Sequence, residues 1–93
     1  MTIGLLNIDI LIPEAHSLKD KRRVLKSVKD QVRARFNCAV AETDHQDLWR
    51  RARLSIVVVS GESQHANTQL NEIFRFVESR LGHNIADCQI ELL

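Results

Sequence analysis

Between Thr2 and Ile12 apolar and polar positions alternate. Leu6, Ile8, Ile10 and Ile12 share one side and Asn7 and Asp9 the other, the pattern of a half-buried strand, which Pro13 ends. Ser17, with Asp20 three residues on, has the form of a capping box, so a helix is predicted to begin there. At about 100° per residue, Leu18, Leu25, Val28, Val32 and Phe36 fall in one apolar sector with Val24 at its margin, and the helix is placed over 17–36. "NCAVAET" (37–43) and "RARLSIVVVS" (51–60) read as two strands joined by a polar link containing "DHQDLW", a hairpin. After Gly61 the helical period returns near 63–81, with Ala66, Leu70, Ile73, Phe74, Val77 and Leu81 on one face. Gly82 stands where a left-handed C-terminal cap belongs, and "NIADCQIEL" (84–92) is the closing strand.

The predicted order is βαββαβ with no linker inside it, the plan of one α+β, ferredoxin-like domain over residues 1–93. That plan is a four-stranded antiparallel sheet in the order 4-1-3-2, with both helices on one face. Ninety-three residues leave room for one core. No segment approaches the ~18 apolar residues of a membrane span, and "MTIGLLNIDILIP" lacks the features of a signal peptide, so a cytoplasmic location and no membrane partner are expected. Cys38 and Cys88 fall on opposite edge strands of the plan, which keeps them from bridging. Neither the two cysteines nor His16, His45, His65 and His83 have metal-ligand spacing, and neither a metal nor a cofactor is expected.

Charge changes the picture. Residues 17–53 hold eleven basic and five acidic residues, net +6, whereas the rest hold two basic and seven acidic, net −5. Along the first helix Arg22, Lys26, Lys29 and Arg33 recur at spacings of four, three and four, with Lys19 and Arg23 beside them and Asp30 the one interruption. Like charges at these spacings repel, and cations in the first turns oppose the helix dipole, so helix stability does not ask for the pattern. A phosphate-bearing ligand answers both objections. The ridge, with Arg50, Arg51 and Arg53, therefore predicts backbone-dominated, salt-sensitive contact with RNA or a ribosomal surface. The competing reading is a solvated face whose cations pair with acids elsewhere, including those of the second helix.

Other features point elsewhere. "AETDHQDLWRRA" gathers Glu42, Asp44, His45 and Asp47 before Trp49. A general base or a divalent-metal site is conceivable there, but the cluster lacks a nucleophile or a phosphate loop, and Asp suits a polar turn. No enzymatic activity is expected. Trp49 is read as a partly buried cap over the hairpin, with a ligand platform or an interface role as the alternatives. The uncovered sheet face mixes Leu5 and Leu11 with Asn7 and Asp9, which offers a second role, that of a homodimeric interaction module.

The segments "SLKDKR", "FNCAVAE" and "DLWRRA" within a nearly full-length likeness resemble the YlxP-like family of small bacterial proteins. The resemblance implies the ferredoxin-like fold, and its gene neighbourhood implies a link to translation or ribosome maturation.

Overall fold

A computed structural model describes residues 1–93. The elements are β1 (Thr2–Leu11), α1 (Leu18–Arg35), β2 (Ala39–Asp44), β3 (Arg51–Ser60), α2 (Ser63–Leu81) and β4 (Ile85–Leu92), with a short 3-10 turn, Gly82–Asn84, before the last strand. All pairings are antiparallel in the order β2-β3-β1-β4, the ferredoxin-like arrangement, so β2 and β4 are the edges. The register sets Leu6 opposite Ile56 and Ile8 opposite Leu54, which puts the apolar parity of both central strands on one face. Against that face α1 brings Leu25, Val28 and Val32, and α2 brings Leu70, Ile73 and Val77, all buried. Gly4 leaves room for Leu70 of α2, because a Cβ there would stand 2.9 Å from Leu70 Cδ1 and displace that side chain.

Ser17 caps α1 as its position predicts. Its Oγ accepts from the Asp20 amide at 3.1 Å. The Asp20 carboxylate accepts from the His16 amide at 3.0 Å, one residue further out than a reciprocal box requires.

Two expectations near α2 are corrected. Gly82 is right-handed helical (φ −42°, ψ −56°), not a left-handed cap. The chain leaves α2 through the 3-10 turn, which the buried Asn84 ties down by donating its Nδ2 to Leu11 O at 2.8 Å. Phe76 is buried where Phe74 was expected, and Phe74 only packs partly against the core. The flank of α2 that carries Phe76 meets the end of α1, where the Phe36 ring lies edge-on at 5.8 Å and the Arg35 and Arg80 guanidiniums at 4.7 and 4.8 Å.

The cysteines are free and half-buried, Cys38 just before β2 and Cys88 in β4. Burial pushes both thiols above their usual pKa, against a small opposing pull from Arg33 at Cys38.

Candidate nucleic-acid interface

The first basic helix contains one cation that is not on the surface. Lys21 shares the helical phase of Leu25, Val28 and Val32 and is 0% exposed. Its Nζ donates to His45 O at 2.8 Å and Arg51 O at 3.2 Å, with Gln46 O further away at 3.4 Å. It also lies 2.8 Å from Glu42 Oε2. That contact is poorly aligned for a hydrogen bond, so charge rather than a formed bond holds the carboxylate oxygen. An ammonium has three donors, so four oxygens around it leave none unused. One side chain thus joins "SLKDKR" (Lys21), "FNCAVAE" (Glu42) and "DLWRRA" (Arg51). Composition hid this role, since Lys21 counts there as one more surface charge, although its phase within the apolar stripe carried the signal.

The remaining cations of the helix do face solvent. Lys19, Arg22, Arg23, Lys26 and Arg33 are exposed and Lys29 is half-buried. Arg22, Lys26, Lys29 and Arg33 line one groove of about 340 Å³ between α1 and the edge strand β2, which Asp30 and Glu42 share. Arg33 donates to Val40 O at 2.9 Å and so caps a carbonyl of that edge. Asp30 lies 2.6 Å from Lys26 and 3.6 Å from Arg33. The hydrogen bond from Lys26 holds the Asp30 carboxyl below the usual range, aided by the charges of Lys26, Arg33 and Lys29. No carboxylate from another element pairs with the ridge, because the chain's other ion pairs are Lys21–Glu42, Arg53–Asp9 and the weak His45–Asp44 contact. The polar link from α2 is instead Arg80 Nε to Gln31 Oε1 at 2.9 Å.

The hairpin arginines separate. Arg50, in the loop, donates Nε to Ala15 O at 3.1 Å. Arg51 opens β3, exposed, beside Trp49. Arg53 does not join the ridge. Its parity along β3 turns it to the uncovered sheet face, where it holds Asp9 with bonds of 2.9 and 3.3 Å. That hydrogen bond is the chief reason the Asp9 carboxyl sits below its usual range.

The same face carries Leu5, Asn7 and Leu11, as their alternation predicts, with Ser55 donating to Asn7 Oδ1 and Thr43 hydrogen-bonded to Ser55. Trp49, expected as a partly buried cap, is 50% exposed in the β2–β3 loop. Glu42, Asp44, His45 and Asp47 do not converge: Glu42 turns inward to Lys21, Asp44 accepts from the His45 amide, and Asp47 lines a hollow with Trp49.

Residues 3–90 match the family described as protein of unknown function (DUF503). The chain belongs to that family. The DUF503 chain is also 34% identical over 77 residues to the Bacillus subtilis (strain 168) protein named Uncharacterized protein YlxP, which covers 83% of this chain and 84% of the relative. Among solved structures, it is similar to a dabb family protein with a ferredoxin-like fold from Mesorhizobium loti, with a TM-score of 0.57 at 19% identity over 99% of this chain and 94% of that one. A de novo designed protein with ferredoxin fold aligns with a TM-score of 0.55 at 17% identity, over 100% of this chain and 83% of the other. At such identities the likeness establishes the DUF503 chain's fold alone.

Proposed function

We propose that this chain is a non-catalytic accessory protein that binds RNA, free or on a ribosomal surface, through the outer face of α1. The observation that carries the reading is the lack of internal neutralisation. Lys19, Arg22, Arg23 and Lys29 have no ion-pair partner, and of the two acids in the groove Asp30 is held by Lys26 and Arg33 and Glu42 by the buried Lys21. Phosphates placed along the α1–β2 groove relieve the repulsion within the ridge and complement its field.

Replacing Arg22, Lys26, Lys29 and Arg33 together by Gln keeps good helix formers, so circular dichroism should show an intact fold. With about four phosphates contacted, the log–log salt slope of wild-type binding should be about −2.8 for a single strand and about −3.6 for a duplex. In the Gln variant the slope should lose most of that value, leaving only the contribution of the cations that remain. Equal binding and an equal slope in the two proteins would make the ridge a solvated face.

A second reading rests on the uncovered sheet face, where Leu5 and Val57 are partly exposed and Val59 is 64% exposed. Pairing of two copies through these positions would make the chain an interaction module with no nucleic-acid role.

A further inference from the structure

We infer that Trp49 is a stacking platform for an unpaired base of single-stranded RNA, with Arg50 and Arg51 receiving the adjoining phosphates. This rests on the reading that α1 binds RNA and names the form of RNA it takes.

The loop that carries Trp49 is fixed at several points. His45 adopts a left-handed conformation (φ 62°) and its carbonyl accepts from the Leu48 amide at 3.0 Å as well as from Lys21. Further along, Arg50 O accepts from the Ile12 amide at 2.8 Å, Arg50 Nε binds Ala15 O, and Arg51 O binds Lys21. Backbone so held presents its side chains in a set direction. The one aromatic of the loop is nevertheless directed to solvent, 50% exposed beside Leu48 at 45%. Exposing that much apolar ring is unfavourable for the isolated chain, and a flat ligand covering it recovers the loss.

The hollow in front of the ring, about 460 Å³, is lined by Asp47, Leu48, Trp49, Arg50 and Arg51. Neither arginine is in an ion pair. An indole sharing a hollow with two arginines that are in no ion pair matches a π-faced, anionic ligand, which describes a nucleotide within a strand. Asp47 accepts hydrogen bonds, so it suits a base amino group or a ribose hydroxyl, and it steers the phosphates to the arginine side. Lys21 supplies the link to the ridge, since its side chain reaches the loop from between Asp20 and Arg22 on α1. A duplex keeps its bases stacked within the helix and cannot use the platform.

Trp49 is the sole Trp and the chain has no Tyr, so intrinsic fluorescence reports this ring alone. The probes are a hairpin-free RNA of about ten nucleotides, within the usual span of such sites, the duplex of the same sequence, inorganic polyphosphate and poly-glutamate. Single-stranded RNA should quench the emission. Duplex and polyphosphate should bind with a salt slope and leave it unchanged. Trp49→Ala should weaken single-strand binding by about 5- to 150-fold at an unaltered slope, and Trp49→Phe should recover most of the loss.

Single-strand binding that is salt-sensitive yet indifferent to Trp49→Ala, with no quenching, would overturn the platform and leave the ridge intact. Quenching by poly-glutamate and not by RNA would overturn it in favour of an acidic protein partner. Absence of binding to every RNA would overturn platform and ridge together.

Discussion

Burial of an ammonium at Lys21 is tolerated because its hydrogens meet oxygens from both ends of the loop and a carboxylate lies beside them. Lys21→Met keeps the apolar stem and removes the charge, so the carbonyls of His45 and Arg51 and the Glu42 carboxylate lose their partner together. Removing one member of a buried pair costs about 3–5 kcal/mol. Glu42 retains 15% exposure and can regain some water, which sets the expectation at the lower end. Thermal melts should fall by about 10–20 °C, and limited proteolysis should cut sooner within residues 45–50. Lys21→Met with Glu42→Leu should recover only part of the loss, since the Arg51 carbonyl loses its ammonium partner and His45 O keeps only the Leu48 amide. A melt within ~2 °C of wild type would show that water replaces the ammonium and that the latch is dispensable.

At the scale of elements, α1 combines a core stripe with a cationic flank, and Asp30 lies on that flank between Lys26 and Arg33. Asp30→Asn releases both cations and removes the one acid that α1 itself places on the ridge. RNA affinity at low salt should rise several-fold and the salt slope should steepen, while thermal stability stays nearly unchanged because exposed ion pairs contribute little. Unchanged affinity in a well-folded variant would mean that phosphates do not lie along this flank. The edge strand beside it is already blunted, as Arg33 occupies the Val40 carbonyl and β2 is irregular between Glu42 and Asp44.

Across the whole molecule, the cations gather around α1 and the β2–β3 hairpin, whereas β4 at the opposite edge carries Asp87 and Glu91. Between them the uncovered face has a central polar row satisfied inside its own sheet, Asn7 with Ser55 and Thr43, then Asp9 with Arg53. Such a row gains little from a second copy, and the apolar remainder is confined to positions such as Leu5, Val57 and Val59. Light scattering at micromolar concentration should therefore report the 10.7 kDa of one chain. Twice that mass, reduced to one by Val59→Lys, would favour the interaction-module reading.

Apolar period, with β-propensity and the capping and turn residues that bound each run, was enough to place every strand and both helices, because these are properties of the chain and the βαββαβ order leaves short connections few ways to close a sheet. The cationic flank was legible for the same reason, since spacings of four and three stay on one side of a helix wherever it packs. Period assigns a residue to a side of its own element. It does not say what lies against that side. Phe76 is buried because α1 meets that flank of α2, Arg53 is lost to the ridge because β3 turns it towards Asp9, and Gly82 needs no left-handed turn because a 3-10 exit leads into β4. Residues 45–50 have no period at all, so the exposure of Trp49 follows from the contacts that clamp its loop, chief among them a lysine twenty-four positions before His45.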